Sequence, residues 1–227
     1  MRASQSPLPL FVFLAIVTLR GAAPQAPTGA LLQAEAEAVR TAPDVRLSLV
    51  YPLPSGPEKV SALVRRPLLF LHLWEVYGFA PRYIARAGEG ASFHLVDPTG
   101  IEGDVFPAGG AEDARLYLAK GAIKHRLAPP FRGSALLDLS YVPEGEGSIL
   151  RVGLSIRMEN RLVGFFVWTF FPLVRSLVVH RIDSNIADIE TIMADLETKP
   201  EATAGRLDAD EAASLLAELG KRPGRSH

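Results

Sequence analysis

The residues able to carry chemistry are sparse and scattered. Five histidines, His72, His94, His125, His180 and His227, stand apart from one another, and the chain has no cysteine. No pair has H-E-x-x-H spacing and no soft thiolate is available, so the sequence supplies no zinc cluster. His94 falls in a strand-like run and His180 in a helix-like one. An imidazole at either place could give or take a proton inside a cavity, with Tyr141 as a second participant, and the chemistry would then be acid–base catalysis of cyclase or hydrolase type. A histidine with an ordinary structural role is the commoner case.

Three short motifs imitate known sites and fail on inspection. Asp208-Ala-Asp210-Glu211 opens like a calcium loop, but Ala213 stands at the sixth position and Leu219 at the twelfth; acidity at a helix start explains it better. Gly88-Glu-Gly90 breaks its glycine pattern at Phe93 and precedes a strand, so no phosphate cradle follows. Arg132-Gly-Ser-Ala-Leu136 has Arg132 and Leu136 where a nucleophile elbow has its two glycines. No metal or cofactor is expected, and catalysis assembled from distant residues remains open.

The most distinctive composition is aromatic: Phe165, Phe166, Trp168, Phe170 and Phe171. Core packing, a ligand-cavity wall and a lip dipping into a membrane compete for it, with core packing first. The surrounding run from Leu162 to Val174 is too short to span a bilayer, contains Pro172 and is bounded by Arg161 and Arg175. A buried core element is the expectation.

The elements that must position these residues follow from periodicity. Leu31 to Arg40 has helix-forming composition. Pro43 ends it, and Val45, Leu47, Leu49 and Tyr51 then alternate as a half-buried strand. Glu58 to Val76 is helical in pattern but must break or bend at Pro67, giving two short helices. From Tyr83 to Met158, short runs separated by glycine and proline clusters predict a mostly antiparallel sheet: Tyr83–Ala87, Ser92–Val96, Arg115–Ala119, Ser134–Val142 and Ile149–Met158. The last two flank Pro143-Glu-Gly-Glu-Gly147 and should form a hairpin. Ala135, Leu137, Leu139 and Tyr141 share one face of the first arm; Leu150, Val152, Leu154, Ile156 and Met158 share one of the second. Beyond Pro172, Val174, Val178, Ile182, Ile186, Ile189, Met193 and Leu196 recur at three- and four-residue steps, the strongest periodicity in the chain, and trace one face of a long helix. Asp208 to Leu219 makes a small amphipathic helix, and Lys221 to His227 reads as a frayed tail.

At the N-terminus, Arg2, the apolar run Leu8–Leu19 and the small residues Gly21 to Ala23 have the order of an export signal. The expectation is a protein exported to a periplasm or secreted, or tethered through the same segment left uncleaved. The net charge is −1, and loss of Arg2 and Arg20 with residues 1–26 would make it more acidic by two charges. Without a basic stripe, nucleic acid is not an expected partner. The absence of cysteine excludes disulfides and a lipidated cysteine, so stability must come from burial.

A strand, paired short helices, a run of antiparallel strands and a long helix make the element order of the START-like helix-grip superfamily, which includes polyketide cyclases and lipid-transfer domains. Residues 44–199 resemble it, most specifically Ser134–Val142, Ser148–Ile156 and Phe171–Ile186. The resemblance implies an α+β fold, with a curved antiparallel sheet gripping a long C-terminal helix and two short helices after the first strand. Residues 27–43 then form a linker and short helix, and residues 200–227 a C-terminal segment. It further implies an apolar cavity between sheet and helix for a lipid-like or other apolar small molecule. Phe93, Leu95, Leu116, Leu118, Leu137, Leu139, Tyr141, Val152, Leu154, Ile156, Trp168, Phe171, Val174 and Val178 are the expected wall. The expected function is binding or transfer at the cell envelope, with contact to a membrane surface; the alternatives are a cavity enzyme and a structural protein-interaction module.

Overall fold

Proline placement sets the first half of the chain. Pro57 and Pro67 each occupy a first helical turn, where a missing N–H costs nothing, so the helical run divides into α2 (Pro57–Arg65) and α3 (Pro67–Tyr77). Gly78 ends α3 with φ of 70°, a left-handed conformation that glycine adopts without strain. Before them lie α1 (Gly29–Thr41) and β1 (Val45–Leu53). These elements come from a computed structural model that describes residues 29–98, 100–125 and 128–220. The N-terminal segment read as an export signal and the tail from residue 221 lie outside them.

Six further strands follow: β2 (Ile84–Ala87), β3 (Phe93–Asp97), β4 (Ile101–Gly109), β5 (Ala114–His125), β6 (Ala128–Glu144) and β7 (Gly147–Met158). They form one antiparallel sheet in the order β1-β7-β6-β5-β4-β3-β2. Periodicity did not disclose β4, whose Gly103, Pro107 and Gly109 dilute the pattern; its pairing with β3 and β5 supplies the order, with a register shift between Pro107 and Gly109. The expected hairpin forms with a tighter turn than Pro143–Gly147, because pairing continues to Glu144 opposite Gly147 and Gly145 takes φ of 58°. Its register sets Ala135 against Ile156, Leu137 against Leu154, Leu139 against Val152 and Tyr141 against Leu150, so the two expected apolar faces coincide.

Helix α4 (Arg161–Thr198) runs to 38 residues and differs from expectation at its start. It begins at Arg161 rather than after Pro172. Asn160 caps it, its Oδ1 accepting from the N–H of Leu162 at 2.9 Å and of Val163 at 3.4 Å. Pro172 removes one internal hydrogen bond and leaves the helix continuous on both sides. The C-terminal half of α4 packs into the main core through Val178, Ile182, Ile186, Ile192, Met193 and Leu196. After α4 come α5 (Pro200–Ala204) and α6 (Ala209–Glu218), and Leu215 of α6 is fully buried in the same core. Helix α1 covers the other side of the sheet, where Ala36 and Val39 meet Leu116, Leu118 and Leu136. The sheet is therefore covered by helices on both faces.

Asp44 locks the start of α4 to the sheet. Its Oδ2 accepts the Met158 N–H at 2.7 Å, and its carboxylate lies where a Cβ on Gly164 would come within 2.6 Å. A carboxylate beside the first turn of a helix also suits the positive end of the helix dipole. Gly164→Ala is expected to push Asp44 off the Met158 amide and to destabilise the fold by about 1–2 kcal/mol, read from the urea midpoint at unchanged slope.

Candidate functional site

Curvature of the sheet leaves space between its concave face and α4. A cavity of about 290 Å³ lies there, near the lower end of the roughly 300–1,000 Å³ usual for small-molecule sites. Its floor is the sheet: Phe93 and Leu95 from β3, Val105 from β4, Tyr117 and Ala119 from β5, Leu137 and Leu139 from β6, Leu150 and Val152 from β7. Its roof is Ile182, Ile186, Ile189 and Met193 of α4, one helical stripe. The short helices close a side, through Val60, Leu63 and Val64 of α2 and Phe70, Leu71 and Trp74 of α3.

The polar groups on this wall are few. Tyr117 lends its ring to the cavity while its hydroxyl donates to the Val64 carbonyl at 2.7 Å, which ties β5 to α2. Tyr83, Asp97 and Asn185 form one polar corner. The Tyr83 oxygen accepts from Arg181 Nη2 and from Asn185 Nδ2, each at 3.3 Å. The Arg181 guanidinium also lies 5.9 Å from the centre of the Tyr83 ring. Asn185 Oδ1 is buried without a hydrogen-bond partner, which leaves this corner incompletely satisfied. Burial holds the Tyr83 phenol above its ordinary range, and the Asp97 charge adds to that while Arg181 and Asn185 oppose it. Burial also raises the Tyr117 phenol.

Two more tyrosines fasten α4 outside the cavity. Tyr51 on β1 donates to Asp183 Oδ1 at 2.7 Å, and Tyr77 on α3 donates to Asp195 Oδ2 at 2.9 Å. Asp195 is held below the ordinary carboxylate range, chiefly by the Lys199 hydrogen bond and then by Tyr77.

Of the expected wall, the structure brings Phe93, Leu95, Leu137, Leu139 and Val152 to the cavity. Tyr141, Leu154, Ile156 and Val178 join the surrounding core without lining it, and Phe171 packs at its edge. Leu116 and Leu118 point the other way, under α1. Both faces of β5 are buried, so an apolar residue there does not mark the cavity side; the residues between, Tyr117 and Ala119, do. Val174 is half-buried, and Trp168 is exposed, both off the cavity. The aromatic run expected in the core is instead largely exposed. Sequence reasoning did not reach the α2 and α3 contribution or the polar corner, because nothing in a single chain's pattern says which side of a short helix faces a cavity.

The suggested acid–base pair does not assemble. His94 Nδ1 pairs with Asp104 at 2.9 Å across β4, on the strand face opposite Phe93 and Leu95, while the Tyr141 hydroxyl donates to the Glu112 carbonyl at 2.8 Å. His72 does find acidic company: its Nδ1 lies 2.6 Å from Glu211 Oε2, with Asp208 close by. Asp208 there caps α6 by accepting the Glu211 N–H at 2.9 Å, as its position at a helix start implied.

No family model matches the chain, and no curated protein matches it. Several solved structures match it in part. A protein from Thermus thermophilus is 16% identical with a TM-score of 0.44, over 66% of this chain and 97% of that one. A truncated norcoclaurine synthase from Thalictrum flavum is 13% identical with a TM-score of 0.44, over 68% and 94%. Ara h 8.0201 is 12% identical with a TM-score of 0.37, over 60% and 98%. Likenesses of this size establish neither a shared family nor a shared activity; the curved sheet around a long helix is established by this chain's own topology.

The raised phenols fix a sign for stability against pH. Below the free phenol value of 10.0 the Tyr83 and Tyr117 hydroxyls are protonated in both folded and unfolded chains. As pH climbs past that value the unfolded chain releases protons that the folded one retains, so stability falls toward the higher folded values. Urea melts across this alkaline range are expected to show that decline, and Tyr83→Phe is expected to make it shallower.

Proposed function

We propose that this chain binds a lipid-like or other apolar small molecule in the cavity between sheet and α4 and serves as a carrier for it. The observation that carries this reading is the cavity itself: it is walled almost entirely by aliphatic and aromatic side chains, with a single polar corner to orient an occupant. Each methylene moved from water into such a space contributes about 0.8 kcal/mol, so an acyl chain or fused ring system could be held without a charged anchor. Membership of the helix-grip superfamily and placement at the cell envelope by the N-terminal apolar segment belong to the same proposal. A cavity enzyme is the second reading. The polar corner of Tyr83, Asp97 and Asn185 is what favours it, in place of His94 and Tyr141.

Displacement of an environment-sensitive fatty-acid probe, together with mass spectrometry of material extracted from the purified chain, tests the carrier reading. The expected result is saturable probe binding, weakened at least tenfold by Val152→Phe, which fills the cavity from β7 while the far-ultraviolet circular dichroism is retained. A chain that takes up no probe and yields no bound molecule is not a carrier. Conversion of the extracted molecule by the chain would favour the enzyme.

A further inference from the structure

Among the described residues, the large apolar side chains most exposed to solvent concentrate on the N-terminal half of α4. Leu162, Trp168 and Leu173 are 64%, 62% and 75% exposed, and Phe165, Phe166, Phe170 and Leu177 stand out with them. At 100° per residue, Leu162, Phe166, Phe170, Leu173 and Leu177 make one stripe, and Phe165 and Trp168 extend it around the helix to more than half the circumference. The side turned to the protein is marked by Gly164 and Val178, both buried. A helix apolar on nearly every side needs an apolar surrounding, not a single apolar stripe opposite it.

We propose that this half of α4 is a docking surface for an anionic phospholipid bilayer, lying in the head-group region parallel to the membrane plane. Several observations choose the bilayer over a second copy of the chain. A paired helix would cover one seam and leave the flanks of so wide a surface wet, whereas lipid covers it whole. Gly164, the small residue at this end, is occupied by Asp44 and gives no close-approach stripe for a partner helix. Charge is complementary to anionic lipid: from Arg161 to His180 the helix carries the exposed Arg161 and Arg175 and no acidic residue.

Depth follows from the same residues. Helix α4 is long and apolar enough to cross a membrane by length and composition, but its C-terminal half is packed in the core. The uncharged stretch between Arg161 and Arg175 is roughly 20 Å long, short of the roughly 30 Å hydrocarbon layer. Pro172 supplies no N–H to the Trp168 carbonyl, which would be costly in the bilayer centre and is tolerable where water and head groups reach. The arginines at either end can extend to phosphate while the rings enter the acyl boundary, the arrangement of an interfacial helix rather than a spanning one. This surface stands apart from the cavity: a chain with an empty cavity could still dock, and a carrier could load without docking.

The chain has two tryptophans, and they make the test direct. Trp74 is 1% exposed but lines the cavity, so lipid entering there would reach it; the Trp168→Phe chain reads that contribution alone, and the difference between the two chains reports the docking. In full-length chain mixed with phosphatidylcholine–phosphatidylglycerol vesicles, the emission is expected to shift to shorter wavelength and to be quenched by brominated acyl chains, with Trp168→Phe abolishing the shift. Pure phosphatidylcholine should bind at least tenfold more weakly. The triple variant Phe165→Ser, Phe166→Ser, Phe170→Ser, which alters only exposed positions, is expected to lower partitioning roughly 100-fold and to retain the wild-type melting temperature. Should that variant fail to fold, bromolipid quenching of the unaltered chain in excess of that of the Trp168→Phe chain decides alone. Vesicle binding without a change at Trp168 would mean attachment elsewhere, through residues 1–28 for instance, and would overturn the proposal. A concentration-dependent dimer in which Trp168 is shielded without lipid, and which does not shift with vesicles, would overturn it in favour of a second copy.

Discussion

The seating of the C-terminal half of α4 across a curved sheet is the constraint on which the remainder of the fold turns. The sheet is open, from β1 at one edge to β2 at the other, and α4 crosses its concave face without filling the space beneath. Val178, Ile182, Ile186 and Met193 bury the helix from one direction, while Tyr51 and Tyr77 hold it from β1 and α3 through Asp183 and Asp195. Fastened at its margins, the helix bridges the concavity instead of sinking into it, and a void remains beneath. Helices α2 and α3 close the side that α4 leaves open. The cavity is thus a consequence of curvature and span, and its apolar character follows from the need of both layers to bury their facing surfaces.

The same geometry explains which parts of the architecture were legible in the sequence. Long alternation in β6 and β7 and the helical steps from Val178 to Leu196 could be read because each element has one buried face of consistent period. Pro67 announced the paired helices, because a proline inside a helical run must break or bend it whatever the context. Strand β4 escaped because glycine and proline interrupt it, and its place is set by neighbours far away in sequence. The cavity wall was legible only in part for a related reason. On β5, the apolar residues Leu116 and Leu118 were natural candidates, yet α1 covers that side of the sheet, so hydrophobicity appears on both faces and loses its power to say which one is inside.

Tyr83 shows how a polar residue gains meaning from position. In sequence it is an ordinary residue before a short strand; in the fold it meets Arg181 and Asn185, one helical turn apart on α4, at the edge of an otherwise apolar space. Arginine and asparagine both donate to its oxygen, so the phenol is held in one orientation while burial keeps it protonated. An apolar cavity alone would accept many occupants in many poses; a fixed polar corner at one end supplies the direction that hydrophobic burial lacks.

Helix α4 is asymmetric in a way that ordinary core formation does not produce. Its C-terminal half divides apolar from polar surface as a helix packed on a sheet should, whereas its N-terminal half is apolar toward the protein and toward solvent alike. Folding needs only the first of these. The Asn160 cap and the Asp44 contact at Gly164 show that the helix start is nevertheless built and fixed rather than left as a frayed extension. A chain that held Phe165, Phe166, Trp168 and Phe170 in water for no return would bear a continuous aggregation hazard. The exposed half is therefore best understood together with the buried half: one rigid helix roofs an apolar cavity at one end and offers apolar surface at the other, so that whatever covers the exposed end is mechanically continuous with the wall of that cavity.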